Sequence, residues 1–215
     1  RYAFFVANAA DRGLSAQDVP EKLPANTECI LFGSISLIPD PISSTVLELV
    51  EREAKRVVTS FDPNVRTVVV EDDADYRARV ERACAAASIV KISDEDLEWF
   101  RPGVSAEAAA SELLGGNTRL VVVTRGAQGA FAITEGASAA VPAVPTEVSD
   151  TVGAGDSFHS AFLVWLSKQG KLTLEGLSSL SEADLEAMLD FAVRVAAKTC
   201  SRPGADPPHE HEVTM

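Results

Sequence analysis

The sequence predicts an α/β protein with a mostly parallel sheet, helices packed on its faces and an antiparallel hairpin at one edge. Three observations predict it. Between residues 28 and 124 short apolar runs alternate with stretches of helical period at least three times, as consecutive β–α units do. After residue 124 two strand-like runs follow one another across Glu135-Gly136, which reads as a hairpin. Two long helix-like stretches then close the chain.

The elements follow in order. "RYAFFVANAAD" (1–11) reads as a strand already under way, so a preceding N-terminal portion is expected. "ECILFGSISL" (28–37) holds a short apolar, strand-like run ending at Gly33. "ISSTVLELVEREAKRV" (42–57) places Val46, Leu49 and Val50 at helical spacing among charges. "VVTSFDPNVR" (57–66) returns to strand and ends in the turn-former Asp-Pro-Asn. "DYRARVERACAAA" (75–87) is helical and "SIVKI" (88–92) is another strand. "AEAAASELL" (106–114) is a helix stopped by Gly115-Gly116, and "RLVVVT" (119–124) is a buried strand. Beyond the hairpin in "GAFAITEGASAAVPA" lie helices at 154–170 and 181–200, and "HEHEVTM" ends the chain as a polar tail.

Composition limits the partners. The net charge of −13 argues against a broad nucleic-acid surface or an anionic membrane, and no apolar run approaches the length of a span. A bound anion must therefore be held by a local device. Cys29, Cys84 and Cys200 are odd in number and form no CxxC pair, which points to buried thiols in a reducing compartment such as the cytoplasm. The paired histidines of "HEHE" read as solvated tail residues rather than metal ligands.

In an open parallel sheet, ligands bind beyond the carboxyl ends of the strands, here the loops 62–66, 91–96, 124–129 and 150–156. The last of these begins "SDTVGAGDSFHSAF" (149–162). Free N–H groups at Gly153, Ala154 and Gly155, entering a helix, suit a phosphoryl group. Asp156 in the same turn would repel that anion unless it serves as general base toward an attacking hydroxyl. Its alternative is a helix N-cap or first-turn acid. "TRGAQGA" (124–130) is either a phosphate loop or a tight turn, and no Walker A motif is present. In "KISDED" (91–96), Ser93 and Asp96 have the spacing of a capping box. "FDPNVR" (61–66) is either only a turn or a strand end where Arg66 neutralises phosphate charge beside Asp62 and Asn64.

"DTVGAGDSF" resembles the C-terminal signature of the PfkB, or ribokinase-like, family of carbohydrate kinases at nearly every position. The resemblance implies a ribokinase-like three-layer αβα fold with most of the lid missing. It makes Asp156 the base that activates a sugar hydroxyl and Gly153, Ala154 and Gly155 the anion hole. "TRGAQGA" resembles the family's T-x-G-x-x-G loop, so Thr124, Gly126 and Gly129 would contact ATP. Ser93 and Asp96 stand where the family has N-x-x-E, which positions magnesium and the phosphates; one carboxylate is kept. "FDPNVR" and "KISDEDLEW" resemble the fructokinase and 2-keto-3-deoxygluconate kinase branch, with Asn64 and Arg66 on the substrate side. "TCSRPGADP" (199–207) resembles the segment whose Thr199, Arg202 and Gly204 complete a monovalent-cation site, such as one for K+, with Asp150 and Val152. Val193 would pack against the adenine.

By this resemblance residues 1–27 are a remnant of the lid, 28–208 the nucleotide-binding and catalytic domain and 209–215 a tail. The chain would be the C-terminal part of an ATP-dependent kinase for a ketose or sugar acid, with fructose the first candidate. Its partners would be a sugar and ATP, and a homodimer is compatible with it. Two rivals stand beside this expectation: a non-catalytic nucleotide-binding relative, and a dinucleotide-dependent oxidoreductase, against which the absence of G-x-G-x-x-G counts.

Overall fold

Alternating strands and helices can bury both faces of a sheet only if each connection crosses back over it, and the computed structural model, which describes residues 9–213, has that arrangement. Four parallel strands, β1 (Cys29–Gly33), β2 (Val58–Asp62), β3 (Ile89–Ser93) and β4 (Leu120–Thr124), lie side by side in chain order. β5 (Ala130–Ile133) and β6 (Ser138–Val141) extend the sheet antiparallel from β4, as the hairpin pattern predicts. The strand expected at the start of the chain falls on residues 1–8, outside the described residues; Ala10–Gly13 form a 3-10 turn.

β1 ends at Gly33, as the apolar run predicts, and Ser34–Leu37 form a 3-10 turn into α1 (Ile42–Glu53). α2 (Asp73–Ala86) is capped by Asp72, whose carboxylate accepts from the N–H groups of Ala74 and Asp75 at 2.9 and 3.0 Å. α3 (Asp94–Phe100) follows β3 without a linker, and α4 (Ala106–Leu113) precedes β4. α5 (Ala154–Lys168) and α7 (Glu182–Cys200) are joined through α6 (Leu174–Ser178), a short helix that carries too little periodicity to be foreseen.

Three layers result. On one face of the sheet α1–α4 pack around Phe61, Val90, Ile92, Val121 and Val123. On the other, α5 and α7 pack Phe162, Leu166, Leu189 and Ala192 against Ile89, Leu120 and Val122. Successive strand residues point to opposite faces, so 58, 60 and 62 on β2 share the α5/α7 side with 89 and 91 on β3. The C-terminal segment touches the body of the protein at points, while His209, Glu210 and His211 stay exposed. Glu210 pairs with Lys168, Glu212 pairs with Arg202, and Val213 packs against the α5/α7 core.

Between β4 and β5 the chain approaches another strand end closely. Gly129 has φ +94°, and a Cβ there would sit 2.0 Å from the carbonyl oxygen of Val141. Gly129→Ala is expected to destabilise the fold by about 1–3 kcal/mol or more. Urea unfolding followed by circular dichroism measures it, and an unchanged midpoint would show that this approach tolerates a side chain.

Candidate active site

The strand ends and the start of α5 meet where the sequence places its motifs. Gly153 occupies the N-cap of α5 with φ 76° and ψ 0°, a left-handed conformation that needs no Cβ, and Ala154 is the first helical residue. The helix begins at Ala154, as the sequence places it, and the geometry of its cap decides which amides are free. The Ala154 N–H donates to the Thr151 carbonyl at 3.3 Å, closing a tight turn. Among the described residues, the N–H groups of Gly153, Gly155 and Asp156 have no acceptor, so the expected amide set 153–155 is corrected to 153, 155 and 156. Asp156 is exposed and makes no hydrogen bond or ion pair among the described residues. Because Gly153 is the N-cap, a capping role for Asp156 is excluded; it is a first-turn acid with its carboxylate unengaged.

The turn is tied to the segment that follows α7. Asp150 accepts from the N–H of Val152 at 3.1 Å and from the N–H of Gly204 at 3.0 Å, so both of its carboxylate oxygens are occupied. These two amide bonds, Val152 first, hold its carboxyl below the usual carboxylate range. The Cys200 carbonyl accepts from Ser149 and Asp150, and the Thr199 carbonyl accepts from Arg202 at 3.1 Å. Thr199 is buried and its hydroxyl donates to Ser157 Oγ at 2.9 Å. The structure thereby gathers Asp150, Val152, Thr199, Arg202 and Gly204 around one turn.

Beneath the turn lies a buried polar cluster that the motifs did not announce. Lys91, 5 % exposed on β3, donates to Asp62 Oδ2 on β2 at 2.8 Å. His159 of α5, 2 % exposed, has Nδ1 3.8 Å from the same oxygen and Nε2 2.7 Å from Ser60 Oγ. The Lys91 ammonium also reaches the turn, because a Cβ added to Gly155 would lie 3.4 Å from its Nζ. Burial pushes the Asp62 carboxyl up, but His159 and Lys91 outweigh it and leave the group below its ordinary value. Burial dominates at His159 and holds the imidazole below its ordinary value, against the pull of Asp62.

The remaining candidates divide. Ser93 caps α3 by accepting from the Asp96 N–H at 3.0 Å, but the reciprocal half of the capping box is absent. The Asp96 carboxylate instead accepts from the Val65 N–H at 3.2 Å, joining the loop after β2 to the start of α3. Burial, more than any neighbour, raises the Asp96 carboxyl above its ordinary value. Asn64 and Arg66 lie half-buried in that β2 loop. Thr124 ends β4 beside Ser93, and Gly126 is exposed in the 3-10 turn that follows. Gly129 is buried where the hairpin starts, and packing there leaves no room for a side chain. Val193 is buried in the α5/α7 core and adds no exposed surface to the site. A cavity of about 900 Å³ opens at Gly153 and Asp156 and runs between α5 and α7 beneath residues 205–213.

A family model for pfkB family carbohydrate kinases matches residues 2–212, nearly the whole chain. The chain belongs to that family. Its relatives include a fructokinase of Rhizobium leguminosarum bv. trifolii, 40% identical over 184 residues that cover 86% of this chain and 56% of that protein. Among solved structures, a fructokinase of Vibrio cholerae O395 bound to fructose, ADP and calcium superposes with a TM-score of 0.78 at 28% identity, covering 94% of this chain and 63% of that one. An aminoimidazole riboside kinase of Salmonella enterica, complexed with aminoimidazole riboside and an ATP analogue, superposes with a TM-score of 0.77 at 27% identity, over 95% of this chain and 66% of that one. The chain thus spans little more than half the length of the first of these relatives.

For this pfkB-family chain the sequence motifs located the turn, Asp156 and the β3–α3 corner, but not Ser60, Lys91 or His159, and Asp62 only as part of a turn. Their signal was parity: Ser60 and Asp62 fall two and four residues after Val58, and Lys91 two after Ile89, on one buried face. The lowered pKa of His159 has a measurable consequence. A group whose pKa is lower in the folded than in the unfolded chain contributes stability that is present above the unfolded value, 6.5, and lost as pH falls. Lowering the pH from about 7 to about 5 should therefore destabilise the parent more than His159→Gln, because the unfolded histidine titrates near 6.5. Urea unfolding across that range checks it, and parallel pH slopes would show that His159 is not held neutral.

Proposed function

We propose that this chain performs ATP-dependent phosphoryl transfer to a hydroxyl of a ketose or sugar acid, with fructose the first candidate acceptor. One observation carries the reading: an exposed, unengaged carboxylate, Asp156, shares a helical turn with free amide N–H groups. Asp156 removes the proton of the attacking hydroxyl as its oxygen bonds to the γ-phosphorus. The bond from that phosphorus to the bridging oxygen breaks, and ADP leaves with the electron pair. The N–H groups of Gly153, Gly155 and Asp156, the helix dipole and the Lys91 ammonium stabilise the charge on the group in transit.

Thr124 and Gly126 are the proposed nucleotide contacts beyond β4, and Asn64 and Arg66 the proposed acceptor contacts beyond β2. The fructokinase relatives and the fructose in the Vibrio structure support a ketose. Among the described residues no three His, Cys, Asp or Glu side chains gather into a metal cage. Magnesium, which keeps several waters and otherwise binds substrate phosphates, is proposed near Ser93 and Asp96, reached through water. Magnesium, when bound, neutralises phosphate charge. A monovalent cation is proposed beside Asp150, which the Val152 and Gly204 amides keep ionised. The cysteines are unpaired among the described residues, which supports a reducing setting. No helix there is long and apolar enough to cross a membrane.

Asp156→Asn keeps the size of the side chain and removes the base. ATP affinity, measured by calorimetry, is expected to stay within about threefold while turnover on a panel of ketoses and sugar acids falls by about 10²-fold or more. Turnover equal to that of the parent would remove Asp156 from the role of base.

A further inference from the structure

The polar cluster beneath the turn carries more than a fold requires. On the α5/α7 side of the sheet, the neighbours of Ser60, Asp62 and Lys91 are Val58, Ile89, Leu120 and Val122, all in the apolar core. Apolar side chains could fill these three positions as well, since a buried ion pair is often matched or surpassed in stability by well-packed apolar residues. Lys91 uses one donor, to Asp62 Oδ2, and has no other hydrogen-bond acceptor among the described residues. An ammonium has three donors. Two remain, on a group 3.4 Å from the position a Gly155 Cβ would take.

The geometry points to Asp62 and His159 as positioning residues that aim the Lys91 ammonium at the phosphoryl-binding turn. This rests on the phosphoryl-transfer reading above. Asp62 Oδ2 is shared by Lys91 and His159, while Oδ1 has no partner. The carboxylate is thus held from one oxygen, between strand and helix. His159 in turn is held at both ring nitrogens' sides, by Ser60 Oγ at 2.7 Å and by Asp62, and its ring stacks on Phe162 with centroids 4.8 Å apart. Asp62, His159 and Lys91 all lie outside the lining of the cavity that opens at Asp156, and of the three Lys91 is the one whose head group meets the turn, at Gly155. Asp62 and His159 act through Lys91. A lysine side chain has four rotatable carbons' worth of freedom, so an ammonium aimed by a fixed acceptor binds a phosphate with less ordering cost than a loose one.

The test uses inorganic tripolyphosphate as probe, titrated by calorimetry into the 215-residue chain, alongside ATP turnover on the sugar panel. Lys91→Met is expected to weaken tripolyphosphate at least about tenfold, the usual range for a lost hydrogen bond to a charged group. Asp62→Asn should weaken it by a similar factor in the parent and by nothing further in the Lys91→Met background. His159→Phe, which keeps a ring beside Phe162 but loses both nitrogens, should weaken it at least about threefold, and His159→Gln should recover part of that loss. Additive effects of Asp62→Asn and Lys91→Met overturn the proposal, as does a purely structural outcome in which the variants lose thermal stability but bind tripolyphosphate like the parent.

Asp62→Asn leaves the Lys91 charge buried without its partner and can fail to fold. The Asp62→Asn/Lys91→Met pair removes both charges, and circular dichroism confirms its fold. If the single variant is unfolded, His159→Phe decides, and unchanged affinity there overturns the proposal. The two readings fail separately. A parent chain that shows this binding pattern but phosphorylates no sugar defeats the kinase reading and leaves the positioning intact. A parent that turns over ATP on a sugar yet does not bind tripolyphosphate defeats the positioning alone.

Discussion

The candidate site depends on one buried ion pair, Lys91 with Asp62. Two charges inside a sheet face are costly to remove from water and persist only where each meets a partner at short range. That requirement makes several separate features interdependent. β2 and β3 must pair in a register that sets Phe61 beside Val90 and so brings Asp62 and Lys91 together. α5 must lie close enough for His159 to flank the carboxylate. Gly155 sits over the ammonium, since a Cβ there would meet Lys91 Nζ at 3.4 Å, an ordinary contact distance.

The start of α5 answers a second constraint, that of binding an anion in a protein of net charge −13. Long-range attraction cannot serve, so positive potential has to be assembled locally from unpaired amides, a helix dipole and one enclosed ammonium. The turn cannot be left loose if those amides are to point one way. Asp150 fixes it by taking N–H groups from both the turn and the 201–206 segment, and Thr199 anchors the next residues through Ser157. The amide pattern is finer than motif spacing indicates. Because the Ala154 N–H is spent on Thr151, the free set loses Ala154 and gains Asp156 itself.

Most of the fold was legible. Period changes along the chain located the parallel strands, the hairpin and the long helices, since each element buries a face whose pattern is local. The omission falls where local pattern is weak: α6 is only Leu174–Ser178, too short to show a period. The capping box at Ser93 and Asp96 was half correct. The serine does cap α3, but the carboxylate found a better partner in Val65, from a loop about thirty residues earlier whose proximity no local spacing encodes. Gly129 shows the opposite case, a residue noted for a ligand whose presence the packing of β5 against the end of β6 already explains.

By itself the sequence determined which elements form, which loops end at the binding edge of the sheet, and that a glycine turn with an acid opens α5. These follow from side-chain period, backbone freedom and helix-end chemistry, all properties of neighbours in the chain. Only the tertiary structure decided that Ser60, Asp62, Lys91 and His159, separated by up to 99 positions, form one connected group. Strand order, register and the seating of α5 bring them together, and each of those is settled by burying apolar area across the whole sheet rather than by any stretch of sequence.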